Sequence, residues 1–380
     1  LQQRVLPSYR VPFFDLLAQS CEGGMSLFAG MARDEESVNA GKLQIADHKL
    51  GQNVHLFKGA MYLCYQRGLV KWLSDWNPDA LIMEANPRYL ATASAVKWMH
   101  ARGRRVIGWG LGAPPPSSLR DTPPIFGEKG GRRRGVWSCF LSQFDALIAY
   151  SQRGADEYAA LGFPREKIFV AYNSVASAPG FNVKRLTLNV KPSILFVGRL
   201  QARKRVDWLI KAVAALSGGS SSPRFSGVSR PAVEGQAPRL VIVGDGPERA
   251  KLESLAREVY PSAEFVGAKH GEELTPYFAE ADIFVLPGTG GLAVQEAMAH
   301  GLPVIVAKGD GTQDDLVRAG NGWQIPPEDF GALVFAIKNA LSDATRLRKM
   351  GEESFRIVSE EINIGKMVGT FIEALNGTTR

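Results

Sequence analysis

Leu286-Pro287-Gly288-Thr289-Gly290-Gly291-Leu292-Ala293-Val294-Gln295-Glu296-Ala297-Met298-Ala299-His300-Gly301-Leu302-Pro303-Val304-Ile305 decides the fold of this 380-residue chain. An apolar run over residues 283–286 ends at Pro287, and a glycine-rich turn follows. A helical pattern then runs to Gly301, a helix stop, with Pro303 just beyond it. Residues 304–306 open a second apolar run. Strand, turn, helix and strand in that order predict two parallel strands joined by a crossover helix. The start of that helix offers backbone N–H groups and the positive end of the helix dipole, which suits a diphosphate. Glycines let the backbone approach such a ligand closely. Glu296 falls about one turn into the helix on the same side, where a carboxylate can accept two hydroxyl hydrogen bonds, as from a ribose.

The same alternation recurs along the chain. Short apolar runs predict strands over 80–83, 105–109, 146–149 and 168–171 in the first half, and over 194–197, 240–243, 264–266, 283–286 and 304–306 in the second. Runs of this length bounded by Gly, Pro or Asp fit strands buried on both faces. Amphipathic helical stretches over 205–216, 248–259 and 331–341 lie between them. Nine such units exceed one ordinary open sheet, so the reading is α/β with two doubly wound domains, residues 1–180 and 181–359. The boundary is expected near 175–192, at Ser177-Ala178-Pro179-Gly180 and Lys191-Pro192. Residues 217–238, dominated by Gly, Ser and Pro, read as a flexible surface insertion. The apolar stripe Met367, Phe371, Leu375 predicts that a final helix, about 360–380, covers apolar surface on the first domain.

Composition narrows the function class. Hydrophobic content of 45% and charged content of 22% describe an ordinary globular chain. Three cysteines, Cys21, Cys64 and Cys139, form no CxxC pair and read as buried thiols of a reducing compartment. The five histidines form no ligand pair, so no protein-held metal and no cofactor are expected. No apolar run reaches membrane-span length, and LQQRVLPSYR lacks the apolar core of a leader. A cytoplasmic protein with a trimmed N-terminus is the expectation. Net charge is +7, with basic clusters at Arg102-Gly103-Arg104-Arg105 and Arg132-Arg133-Arg134. Such clusters suit solvated helix ends, anionic lipid headgroups or a phosphorylated acceptor. The absence of an aromatic-interleaved basic stripe argues against nucleic acid.

In doubly wound sheets ligands bind beyond the carboxyl ends of the strands. Three further strand ends carry suitable residues. Gly198-Arg199-Leu200, followed by Lys204, places two cations after one strand; Arg grips phosphate bidentately and Lys adds a point charge. Gly244-Asp245-Gly246 makes a tight turn. Gly267-Ala268-Lys269-His270 is a short loop able to read a nucleobase by its backbone, with His270 a surface residue.

Together FVGRLQARKRVDWLIKAVA, LVIVGDGPERAKLESLA, EFVGAKHGEELTPYFAEADIFVLPG and GLAVQEAMAHGLPVIV, spanning residues 193 to about 307, resemble glycosyltransferase family 4, retaining enzymes of the GT-B fold. LPSYRVPFFDLLAQ and VAYNSV match the family more loosely in the first half. The resemblance implies two Rossmann-like domains facing a cleft, with the last helix crossing back to the first. It implies a nucleotide-diphosphate-sugar donor and a glycan, lipid-linked or small-molecule acceptor, at the inner face of a membrane where the acceptor is a lipid. Arg199 and Lys204 would bind the donor diphosphate, the amides of Gly290, Gly291 and Leu292 would face it, and Glu296 would hold the ribose. Gly198, Gly244, Gly267, Lys269 and Thr289 would complete the donor side. Arg10, Glu84 and Trp109 are the acceptor-side candidates. Two positions depart from the family: Gly288 stands where a first glutamate precedes Glu296 by eight residues, and Trp109 stands near the place of a histidine. The alternative reading is a nucleotide-sugar-binding protein without transfer.

Overall fold

The computed structural model describes residues 1–33, 36, 39–113, 130–179, 191–217, 237–309 and 311–377, the side chains of 130–134 excepted. Two compact units divide the chain: Leu1–Val175 with Ile364–Arg380, and Ala176–Asn363. The insertion expected at 217–238 and the basic cluster Arg132–Arg134 fall almost wholly outside what is described, as do residues 180–190 of the expected boundary.

The second unit is a six-stranded parallel sheet. Its strands are β9 (Ser193–Val197), β10 (Arg239–Val243), β11 (Ala263–Gly267), β12 (Ile283–Leu286), β13 (Val304–Ala307) and β14 (Gly322–Ile325), in the spatial order β11-β10-β9-β12-β13-β14. Helices Val206–Leu216, Arg249–Val259, Ala293–Ala299 and Phe330–Leu341 connect and cover it. Ile194, Leu195, Phe196, Ile283, Phe284 and Val285 are fully buried, the reason these strands read as unbroken apolar runs. The order reverses between β9 and β12, where a doubly wound sheet opens its ligand crevice.

The first unit is an eight-stranded sheet in the order β4-β3-β2-β1-β5-β6-β7-β8. The strands are β1 (Gln2–Val5), β2 (Ser26–Gly30), β3 (Asp47–Leu56), β4 (Leu63–Arg67), β5 (Ala80–Glu84), β6 (Arg105–Gly110), β7 (Ala146–Ala149) and β8 (Ile168–Val170). All neighbours are parallel except β3 and β4, an antiparallel ribbon at one edge. One face packs Phe28, Trp72, Leu81 and Tyr158; the other packs Phe13, Phe14, Trp109 and Ile148 against Met367 and Phe371 of the last helix, Ile364–Gly377. That helix is separate from Ala344–Arg356. A π-type turn at Ile357–Glu361 intervenes, and Asn363 Nδ2 donates to the carbonyls of Val358 at 2.9 Å and Ser359 at 3.1 Å.

Of the three thiols expected to be buried, Cys64 is buried, Cys21 is half-buried and Cys139 is exposed. The cluster Arg102–Arg105 is tied down. Arg102 lies 3.8 Å over the Trp98 ring, Arg104 donates to Asn77 Oδ1 at 2.7 Å, and Arg105 donates to the Leu375 carbonyl at 3.3 Å.

Candidate functional site

In the second unit the loops after β9 and β12 meet backbone to backbone at the switch point. Thr289 N donates to the Arg203 carbonyl at 3.1 Å. Lys204 Nζ donates to the Thr289 carbonyl at 2.9 Å and also to the Gly290 carbonyl. Arg203, which the motif reading passed over, donates from Nη1 to the same Thr289 oxygen at 3.3 Å. Gly288 sits where the loops touch: a Cβ there would lie 2.1 Å from the Arg203 carbonyl oxygen and 2.4 Å from the Lys204 carbonyl carbon. The missing glutamate therefore has a steric cause, since no side chain fits this contact. A Cβ on Gly290 or Gly291 would fall 3.9 or 3.7 Å from Lys204 Nζ, so both glycines flank the ammonium.

Lys204 is 6% exposed, and no carboxylate pairs with it among the described residues. Burial, with a lesser push from Arg203, draws its pKa down to about 8. Two of its three N–H donors serve the turn. Leu292 caps the helix Ala293–Ala299 and Glu296 lies in its first turn. The Glu296 carboxyl is half-buried, and burial raises its pKa above the usual carboxylate value. No hydrogen-bond partner holds it among the described residues. Beside it, Gln295 is buried and was missed by the sequence reading. Its Oε1 accepts from Ala176 N at 3.0 Å and its Nε2 donates to the Ile362 carbonyl at 3.1 Å. One side chain thus ties the two ends of the unit to the motif helix.

The other strand ends brace the site. Gly198 N donates to the Val243 carbonyl at 3.0 Å and Gly244 N to the Gly267 carbonyl at 2.8 Å. A Cβ on Gly244 would be 2.0 Å from the Gly198 carbonyl oxygen. Arg199 is exposed in the loop after β9. Lys269 lies 3.5 Å from Glu273, and exposed His270 caps the turn Gly271–Leu274.

In the first unit Arg10 and Glu84 lie at the second switch point, after β1 and at the end of β5. Arg10 is 4% exposed, donates to Asn173 Oδ1, and sits 5.4 Å from the ring centroids of both Trp109 and Tyr150. Burial pushes the Glu84 carboxyl up to about 7, opposed by the Arg4 amide that donates to Oε2 and by the Arg4 and Arg10 charges. Trp109 is 1% exposed and packs among Phe13, Tyr150 and Phe371, so it is a core side chain that walls Arg10 and offers no ring face of its own. A cavity of about 680 Å³ opens where β2 and β3 end, lined by Met31, Arg33, Leu50, Gln52, Asn53 and His55. Sequence reasoning missed it because β3 carries no apolar run. Asn53 Nδ2 donates to the Arg4 carbonyl at 2.7 Å, linking the cavity wall to the arginine beside Glu84. No group of three or more His, Cys, Asp or Glu able to hold a metal occurs among the described residues.

Residues 191–343 match the family model for glycosyl transferases group 1. The chain is 31% identical over 276 residues to a GDP-mannose-dependent alpha-mannosyltransferase of Mycobacterium tuberculosis, a match covering 69% of this chain and 64% of the relative. It thus spans just under two thirds of that relative's length. It is 27% identical over 302 residues to the lipopolysaccharide core biosynthesis glycosyltransferase LpsE of Rhizobium meliloti, covering 74% and 82%. Among solved structures it resembles Anabaena HepE in complex with UDP, with a TM-score of 0.67 at 16% identity over 99% of this chain and 98% of that one.

Proposed function

Because the chain belongs to the group 1 glycosyltransferases, the family 4 type with the GT-B fold, we propose that it moves a sugar from a nucleoside diphosphate sugar to an acceptor. The observation that carries this reading is the buried ammonium of Lys204, fixed by the Thr289 and Gly290 carbonyls with no anion beside it among the described residues. No charge among the described residues compensates its desolvation, and a diphosphate placed on its third donor supplies one. Arg199 adds a second cation, and the amides of Gly290, Gly291 and Leu292 face the phosphates. Glu296, half-buried and without a side-chain partner among the described residues, accepts the ribose hydroxyls. Gly198, Gly244, Gly267 and Lys269 hold the nucleoside side.

Lys204 and Arg199 stabilise the charge that builds on the departing diphosphate, the electrostatic help that dominates much catalysis. That phosphate takes the acceptor proton, and the sugar keeps its anomeric configuration. These cations replace a metal ion in the proposal. The 680 Å³ cavity, whose wall residue Asn53 is joined through Arg4 to Glu84, is the proposed acceptor pocket of the first unit, with Arg10 a further acceptor-side candidate. A glycan or lipid-linked acceptor suits its mixed polar and apolar lining, and a lipid-linked one places the protein at the inner face of a membrane. No helix long and apolar enough to cross a membrane occurs among the described residues. The mycobacterial relative makes GDP-mannose the first donor to test, with UDP-sugars second.

Calorimetric titration of GDP and UDP into the protein and its Lys204→Ala and Glu296→Ala variants tests the assignment. A hydrogen bond to a charged group contributes about 1.5–3 kcal/mol, or roughly tenfold to a hundredfold in affinity. Unchanged affinity in both variants would remove the site.

A further inference from the structure

Among the described residues four besides glycine have a positive φ, and two of them, Arg205 at +52° and Glu328 at +59°, are bonded to each other in the second unit. A left-handed backbone crowds Cβ against the following carbonyl, so a residue other than Gly keeps it only where its surroundings hold it there. Arg205 directly follows Lys204. A single turn, Ala202–Lys204, leads out of the β9 loop, and Arg205 N donates to the Ala202 carbonyl at 3.1 Å. The helix Val206–Leu216 starts at the next residue and is anchored by Val206, Leu209, Ile210 and Val213, all buried. Rotation about the Arg205 backbone therefore swings Lys204 against a fixed helix.

The Arg205 side chain is clamped on three sides. Nη1 donates to both carboxyl oxygens of Glu328, at 3.1 and 3.0 Å, and Nε donates to Asp207 Oδ1 at 3.3 Å. The guanidinium lies 3.9 Å over the Trp208 ring, and that ring meets Phe330 edge-on at 5.7 Å. Glu328 and Phe330 flank Asp329, whose Oδ1 accepts from Ala332 N at 2.8 Å and caps the helix Phe330–Leu341. An exposed ion pair alone contributes little, and the Glu328 side chain is 74% exposed. A guanidinium held by two carboxylates and stacked on an indole is fixed more firmly. The loop after β14 thus grips the residue that follows Lys204.

We propose that Arg205 is a positioning residue for Lys204: its clamped side chain holds the left-handed turn that sets the ammonium against the Thr289 and Gly290 carbonyls. The inference rests on the reading of Lys204 as the cation for the donor diphosphate. Little tolerance is left at that seat. A Cβ on Gly288 would stand 2.5 Å from Lys204 Cα, and Thr289 N donates to the Arg203 carbonyl at 3.1 Å, so residues 203 and 204 lie close against the Gly288 turn. A right-handed Arg205 would carry both out of that contact. The charge of Arg205 is engaged by Glu328 and Asp207, so it acts on a ligand through Lys204 and not by direct contact.

Calorimetric titration of GDP and UDP from about pH 7 to about pH 10 tests it in Arg205→Ala, Arg205→Gly and Glu328→Ala. Alanine keeps the strain and loses the clamp, so affinity is expected to fall about tenfold. Wild-type affinity should fall off above about 8, the pKa to which burial draws Lys204. In Arg205→Ala that midpoint should move up toward the ordinary lysine value as the ammonium reaches water. Glycine adopts the left-handed turn freely, so Arg205→Gly is expected to recover affinity to within about threefold of wild type and to keep the midpoint. Glu328→Ala leaves Arg205 in place and keeps the test decisive where Arg205→Ala does not fold. It should lose about threefold, with the midpoint raised. Arg205→Ala or Glu328→Ala that binds as wild type with an unmoved midpoint overturns the proposal. So does Arg205→Gly as weak as Arg205→Ala, which would put the guanidinium itself on the nucleotide. Lys204→Ala, run alongside, separates the two readings. Unchanged affinity there removes the donor site and this inference with it, whereas failure of the Arg205 variants beside a Lys204-dependent affinity removes this inference alone.

Discussion

Gly288→Ala adds one methyl group where two loops meet, and the structure sets its cost. The new Cβ would start 2.1 Å from the Arg203 carbonyl oxygen and 2.5 Å from Lys204 Cα, both backbone atoms unable to swing aside. Ordinary contact is about 3.5 Å, so the turn must retreat by roughly 1.4 Å. The Thr289 N to Arg203 carbonyl bond, now 3.1 Å, would stretch beyond bonding range, and the carbonyls holding Lys204 would move with it. Overpacking costs about 1–3 kcal/mol and the lost backbone bond about 1 kcal/mol more. The sum, roughly 2–4 kcal/mol, corresponds in a unit of this size to a fall in melting temperature on the order of 10 °C. Scanning calorimetry measures it, with Gly331→Ala as control. That residue lies in the first turn of a helix, and its Cβ would meet only Asp329 Oδ1 at 3.5 Å. The control should be neutral or slightly stabilising. Nucleotide affinity should fall in Gly288→Ala alone. A variant that melts and binds as wild type would refute the claim that contact with Arg203 and Lys204 dictates glycine here.

Lys204 should make nucleotide binding pH-dependent. With its pKa held near 8, it is charged below that value, so GDP or UDP affinity should weaken by up to about tenfold per unit as pH rises above it, and Lys204→Ala should flatten the titration. The sign for stability is opposite: the buried ammonium costs the folded state at low pH, so the nucleotide-free protein should gain stability between about 8 and 10.5, which thermal melts across that range would show. Glu296→Gln removes a half-buried carboxylate with no partner among the described residues, so it should melt at or above the wild-type temperature at neutral pH yet bind nucleotide about tenfold or more weakly. A lowered melting temperature would show that the carboxylate is structural. Phe371→Ala removes a fully buried ring 4.9 Å from both Phe13 and Trp109, and should destabilise the first unit by about 3–5 kcal/mol in denaturant titration; a loss under 1 kcal/mol would mean that the last helix is not part of that core.

The second sheet was legible because strands buried on both faces must be apolar throughout, and β9, β10, β12 and β13 appear within a residue of where the runs place them. β14 was not, since Gly322-Trp323-Gln324-Ile325 alternates polar and apolar at an edge. In the first unit β1 is central yet forms no apolar run. Gln2 and Gln3 are buried there because Gln66 and the Glu84 amide satisfy Gln2, and the Gln3 carbonyl accepts from Gln66. Such partners come from remote strands, which no local pattern announces. The polar strand β3 hid the cavity for the same reason. The motif reading named Lys204, Thr289, Gly290 and Gly291 separately as donor-side residues, which the structure brings together. It could not tell that Gly288 follows from backbone contact, nor that Trp109 is core.

Sugar transfer itself is measured by following nucleoside diphosphate release and the anomeric signal of the product together, across GDP- and UDP-sugars with glycan and lipid acceptors. One donor should turn over, its anomeric carbon should keep its configuration, and Lys204→Ala should lower kcat/KM by about a hundredfold or more. A donor that binds with Lys204-dependent affinity but yields no nucleoside diphosphate above background would make the protein a binder rather than a transferase.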